Sequence, residues 1–65
     1  MTEDEARAAR LTSGDVASRL GIDRSTVLRI PRLQLDYAVT PGGHRRYRAE
    51  DVRTYARDVL GLPGQ

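Results

Sequence analysis

Pro41-Gly42-Gly43-His44-Arg45-Arg46-Tyr47-Arg48 is the stretch that decides how the rest of the chain is read. A Pro-Gly-Gly turn precedes three arginines, the only histidine and a tyrosine, and no acidic residue lies between Asp36 and Glu50. Residues 36–40 (Asp-Tyr-Ala-Val-Thr) read as a short strand, and His44 to Arg48 is expected to return antiparallel to it. Gly42 and Gly43 are expected to supply the positive φ angles of a tight turn. Alternation along the return strand puts Arg45 and Tyr47 on one face, with His44, Arg46 and Arg48 on the other. A hairpin with that much unpaired positive charge suits a polyanion, and nucleic acid is the obvious one. The plainer alternative is a solvated, arginine-rich loop.

Outward from this stretch, composition limits what the chain can be. Sixty-five residues make one small domain with a thin core. There is no cysteine, so disulfides and thiolate metal sites are excluded, and a single histidine argues against zinc. No metal and no other cofactor is expected. No apolar run exceeds three residues, which argues against a membrane span or signal peptide. The expected address is the cytoplasm, on DNA. The formal charge of +2 is unevenly spread: residues 1–23 carry −2, residues 24–48 carry +5 and residues 49–65 carry −1. All eleven basic residues are arginine, whose planar fork suits bidentate contact with phosphate or a guanine edge.

Before the hairpin come two helix signals. Thr12 fits an N-cap with Asp15 three residues on, close to a capping box, and Leu11 and Val16 stand where a hydrophobic staple would sit. Val16, Ala17 and Leu20 then have helical spacing. Gly21 ends this helix and Asp23 is placed to cap the next, Arg24 to Ile30, which Pro31 stops. Val27 and Ile30 face inward with Ile22 as anchor, leaving Arg24, Ser25, Leu28 and Arg29 outside. Leu33 and Leu35 are expected to add to the core. After the hairpin, Glu50 and Asp51 open a last helix at its positive end. Val52, Tyr55, Ala56, Val59 and Leu60 form its buried stripe, with Gly61 and Pro63 as stop signals. The predicted fold is mainly α with a β-hairpin, in the order helix, helix, hairpin, helix. Residues 1–10 read as a flexible N-terminal arm or one weak helical turn, 11–61 as the folded domain and 62–65 as a C-terminal tail.

These residues together resemble the MerR-type winged helix-turn-helix domain. The likeness runs from Leu11-Thr12 through Leu20-Gly21 and Asp23-Arg24-Ser25-Thr26-Val27 to Gly42-Gly43-His44-Arg45-Arg46-Tyr47 and Glu50-Asp51-Val52. It covers residues 11–60, and the hairpin followed by Glu-Asp-Val is its specific part. The resemblance implies that the second helix reads the major groove while the hairpin, as a wing, contacts phosphates. Carried over by position, Arg24, Ser25, Thr26 and Arg29 are recognition-helix candidates, and His44, Arg45, Arg46 and Tyr47 are wing candidates. Arg32 and Arg48 join them as neighbouring cations. Ile30 stands where the family often has an aromatic, and Pro31 shortens the passage to the wing. Arg48 replaces a serine that often caps the last helix, which predicts a weaker cap and one more charge near the phosphates. The stretch carries neither the long dimerisation helix nor the effector domain of full-length MerR regulators, so no small-molecule effector is expected and the free protein is expected to be monomeric. The implied branch is the small one of phage and plasmid excisionases (recombination directionality factors). The function implied is cooperative binding to direct repeats of double-stranded DNA beside neighbouring copies, bending the duplex and directing an integrase towards excision.

Other classes were weighed on the same residues. A small MerR-like transcriptional regulator needs the same domain. A protein-interaction module would use the acidic start of the last helix or residues 1–10. An enzyme is not expected: Arg45, Arg46 and Tyr47 diverge along a strand, and the chain is too short for a tyrosine-recombinase catalytic domain. RNA binding lacks an exposed aromatic platform.

Overall fold

Thr12 and Asp15 start the helix on which the core is built. In the computed structural model, which describes residues 1–62, helix α2 (Ser13–Leu20) follows N-cap Thr12. The Asp15 N–H donates to Thr12 Oγ1 at 3.1 Å and the Thr12 N–H donates to Asp15 Oδ2 at 3.0 Å, a complete capping box. At the other end Gly21 has φ 69°, a left-handed conformation that glycine adopts without a Cβ clash, and the Ile22 N–H reaches the Ala17 carbonyl at 3.1 Å. Helix α3 (Arg24–Arg29) follows. Asp23 occupies its N-cap position but makes no side-chain cap bond. Ile30 is already extended (φ −63°, ψ 124°), as Pro31 requires of its predecessor.

Val16, Ala17 and Leu20 of α2 meet Val27 and Ile30 beside α3, and Leu35, Tyr47, Val52 and Tyr55 complete one core. Val16, Val27, Leu35 and Tyr47 are fully buried, and each such side chain contributes about 1.5–3 kcal/mol of transfer free energy. Leu33 does not join them. It is 102% exposed against 1% for Leu35, because a turn at Pro31 (Gln34 and Leu35 N–H to Pro31 O, 2.8 and 3.1 Å) sends only Leu35 inward.

The hairpin is shorter than the sequence suggests. Strand β1 (Ala38–Val39) pairs antiparallel with β2 (Arg45–Arg46) in the register Ala38 to Arg46 and Val39 to Arg45. Thr40 donates to the His44 carbonyl at 2.8 Å, and Gly43 donates to the Thr40 carbonyl at 2.8 Å. Only Gly43 has positive φ, 82°; Gly42 does not, so the expected pair of left-handed glycines is corrected to one. That is the three-residue loop with a left-handed closing glycine, whereas two left-handed residues belong to the two-residue turn. Beyond β2 the strand direction continues for one residue, where Leu11 and Tyr47 exchange both backbone bonds (3.0 and 2.8 Å) and tie the hairpin to the entrance of α2.

Helix α4 (Ala49–Asp58) buries Val52 and Tyr55, with Ala56 packed against the core. Val59 and Leu60 are exposed, a correction to the five-residue stripe, because the helix ends at Asp58. Gly61 has φ 66° and the Leu62 N–H reaches the Ala56 carbonyl at 2.9 Å. Pro63 and the tail beyond Leu62 lie outside the described residues.

Of the two readings of the N-terminal stretch, a free arm or a helical turn, the structure has the helical one. Helix α1 (Glu3–Ala8) has its own capping box, with Glu5 N–H on Thr2 Oγ1 (3.2 Å) and Thr2 N–H on Glu5 Oε1 (2.8 Å). Ala9 is buried, and Glu5 pairs with Arg48 at 3.1 Å. Arg48 also forms a two-pronged bond to Asp51 (2.9 and 2.8 Å), so one guanidinium joins α1 to the start of α4. The fold of the described residues is four helices and one two-stranded antiparallel hairpin, an arrangement compatible with a winged helix.

Candidate nucleic-acid interface

Helix α3 has one apolar side and one polar side because only Val27 within it is buried. Ser25 and Arg29, four residues apart, share the outward face. Arg24, Thr26 and Leu28 flank them, and all five are exposed. Among the described residues no carboxylate lies within 4.0 Å of Arg24 or Arg29. The recognition-helix candidates are therefore brought to one accessible surface with their charges unneutralised.

The hairpin candidates divide. Tyr47 is 1% exposed and belongs to the core, so its ring is corrected from a surface contact to a packing residue. Strand alternation aims it inward together with Arg45. Arg45 turns back onto the protein: its Nη1 lies 3.3 Å from the Leu28 carbonyl and 3.4 Å from the Tyr47 hydroxyl, and its Cζ stands 4.4 Å from the Tyr37 ring centroid. The Tyr47 hydroxyl bond, foremost among the causes, holds the Arg45 pKa above its ordinary value. Arg46 faces the other way; its Nη1 donates to the Arg45 carbonyl at 2.8 Å, and no described carboxylate pairs with it. His44 is exposed beside it.

Two further cations are already engaged. Arg32 donates through Nε to Asp36 (2.9 Å) and through Nη2 to the Tyr37 carbonyl (2.8 Å). That Arg32 bond is the main cause of an Asp36 pKa lowered to about 2. Arg48 is spent on Asp51, Glu5 and Glu50, so its expected role near phosphates is corrected to a clasp between helices. Its expected weakness as a cap holds, since no side-chain bond closes the start of α4.

Free Arg24, Arg46 and His44, together with the engaged Arg45, border a polar concavity of about 320 Å³ that is closed by Thr12, Ser13 and Gly14 at the start of α2; Arg29 lies outside it. The α2 capping box uses the N–H groups of Thr12 and Asp15. Ser13 and Gly14 are the other first-turn residues whose N–H groups have no place in the helical ladder. Asp15 is held ionised, its pKa lowered chiefly by the Thr12 N–H, and it tempers the field of Arg46 from one side. Guanidiniums, a helix start and a small hydroxyl residue around one hollow suit a tetrahedral anion. The sequence marks Thr12 only as a helix start and does not single out Ser13 or Gly14; nothing local signals that the hairpin folds over them. Among the described residues no group of three His, Asp or Glu is placed to hold a metal ion, and no helix is long and apolar enough to cross a membrane.

No protein-family model, curated protein or solved structure matches this chain.

Proposed function

We propose that this chain binds double-stranded DNA as a winged helix-turn-helix of the MerR type, with α3 in the major groove and the hairpin as the wing along the adjoining backbone. The observation that carries the reading is the set Arg24, Arg29 and Arg46 on the α3 and hairpin side, none paired with a described carboxylate, with Arg24 and Arg46 lining one polar hollow. Arg7, Arg32, Arg48 and Arg57 are paired with acids, while Arg19 and Arg53, likewise without a described carboxylate partner, line a separate hollow between α2 and α4. An α-helix with its side chains is roughly 10–12 Å across, which fits a major groove about 12 Å wide. Arg29 and Ser25 then face base edges, while Arg24, Arg46 and His44 take backbone phosphates. A module this small buries roughly 600–1,000 Å² on DNA, so useful specificity requires neighbouring copies on repeated sites. The finer role, an excisionase that bends an attachment site and turns an integrase towards excision, rests on the sequence resemblance.

Duplex titrations at several salt concentrations test the binding. Arg29→Ala is expected to lose about 1–3 kcal/mol on the specific site and to discriminate less between sequences, whereas Arg46→Ala weakens all duplexes alike and makes the salt slope shallower by about one. Equal losses on specific and random DNA for both would remove the base-reading role of Arg29. A purified excision reaction with a cognate integrase, with footprinting, tests the finer role; protection of one isolated palindrome without effect on recombination would leave a transcriptional regulator.

A further inference from the structure

Arg45 is the one hairpin arginine whose guanidinium reaches α3. Pro31 has no N–H, so the Leu28 carbonyl in the last turn of α3 loses the donor that a tightening turn would offer it three residues on. Arg45 Nη1 comes to that carbonyl at 3.3 Å across 17 residues of sequence. The same nitrogen lies 3.4 Å from the Tyr47 hydroxyl, and the guanidinium carbon lies 4.4 Å from the Tyr37 ring centroid. Both hydrogen bonds are long, so the hold comes from the combination with the ring. Tyr37 is itself fixed: Arg32 Cζ lies 4.5 Å from its centroid, Arg32 bonds its carbonyl, Asp36 accepts from its N–H at 2.8 Å, and Tyr47 packs at 5.6 Å between centroids. No described carboxylate pairs with Arg45.

The hairpin is thereby tied twice. The Leu11–Tyr47 backbone pair ties it to the entrance of α2, and Arg45 ties it to the exit of α3. One tie leaves a hairpin free to rock about it; two on different helices do not. We propose that Arg45 is a positioning residue and not a phosphate contact: bound to the Leu28 carbonyl and the Tyr37 face, it locks the hairpin to the last turn of α3 and sets the angle at which the two meet DNA. This rests on the DNA-binding reading above, but the lock itself belongs to the free protein.

The test uses Arg45→Lys, Arg45→Ala and Tyr37→Leu in the full chain, each first checked for folding by circular dichroism. Lysine keeps the charge but lacks the planar fork. Arg45→Lys is expected to lose specific affinity about tenfold, as much as Arg45→Ala, and Tyr37→Leu combined with Arg45→Lys is expected to cost no more than either alone. Arg45→Ala leaves the salt slope unchanged, in contrast to Arg46→Ala. In the free protein, amide shifts of residues 27–30 and 38–46 move together in Arg45→Lys and Tyr37→Leu. Wild-type affinity in Arg45→Lys, or a salt slope shallower by about one in Arg45→Ala, would overturn the proposal and make Arg45 a charge contact. Should the wild type bind no duplex, the DNA-binding reading falls, and the free-protein shifts alone decide: changes confined to residues 44–46 overturn the lock. If Arg45→Ala does not fold, Arg45→Lys and the double variant carry the comparison.

Discussion

Helix α3 hangs between two joints of different material. Towards α2 the joint is one left-handed glycine, backed by Leu20, Val27 and Ile30 of the core. Towards the hairpin it is a loop anchored in the core by Leu35 and oriented by polar and aromatic contacts: Arg32 on Asp36 and Tyr37, and Arg45 on Tyr37 and Leu28. Apolar burial is non-directional and tolerates small displacements, whereas a guanidinium fork and a ring face hold only at one geometry. The first joint sets whether the pair of helices forms; the second sets where the hairpin points. Direction is set at the second joint, where polar contacts surround a single buried leucine, Leu35.

Emptying the apolar joint should have the largest effect. Leu20→Ala is expected to cost about 2–5 kcal/mol, a large share of what a chain this size has, and to lower the thermal midpoint steeply. If Tyr37→Leu lowers that midpoint as much, the two joints are not different in kind.

The glycines sharpen the contrast, because Gly21 and Gly43 carry similar left-handed angles (69° and 82°) and neither has an atom within 4 Å of a built Cβ. The strain of a β-branched residue is thus conformational at both, about 1–3 kcal/mol. Gly21→Val should be read in melting, because α2 and α3 pack across that turn. Gly43→Val should be read mainly in DNA affinity, because the hairpin tip can fray around it. Equal loss of melting temperature in both, with affinity per folded molecule unchanged, would show that the tip is part of the core's cooperative unit.

Acid should loosen the polar joint ahead of the apolar one. The Asp36 pKa lies at about 2 when folded against an ordinary 3.8, so its contribution is complete above pH 4 or so and is lost as pH falls towards 2. Glu5 and Asp15, both lowered chiefly by their capping N–H bonds, act in the same direction. Melting followed from pH 5 to pH 2 should show a decline that Asp36→Asn reduces; an unchanged decline in that variant would place the acid sensitivity at the caps. Smallest of all is Leu33→Ser, expected within about 0.5 kcal/mol of wild type by thermal melting because the side chain is fully exposed.

The difference between joints also separates what was legible. Capping and periodicity are local, so Thr12, Gly21, Val16, Leu20, Val27 and Pro31 announce the helical pair before any packing is known. The same local pattern stands at Thr2-x-x-Glu5, but no apolar stripe follows it to signal a packed helix; α1 is joined to the body by Glu5 on Arg48, a contact 43 residues away in sequence. Leu33 and Leu35 look alike as letters, and only the turn at Pro31 distinguishes the exposed one from the buried one. Arg24 and Arg29 are exposed as their helical position predicts, while Arg32, Arg45 and Arg48 resemble them in the chain and differ entirely in what they touch.

By itself, then, the sequence determined the helical pair, the hairpin with its glycine turn, the shared face of Arg45 and Tyr47 (though not that this face points inward) and the basic middle of the chain, since each follows from neighbours within a few residues or from a count of charge. Tertiary structure alone decided which arginines stay free. A guanidinium is neutralised, stacked or left open according to what folding brings beside it: Asp36 for Arg32 and Asp51 for Arg48 lie within four residues, but Leu28 lies 17 residues from Arg45 and Glu5 lies 43 from Arg48.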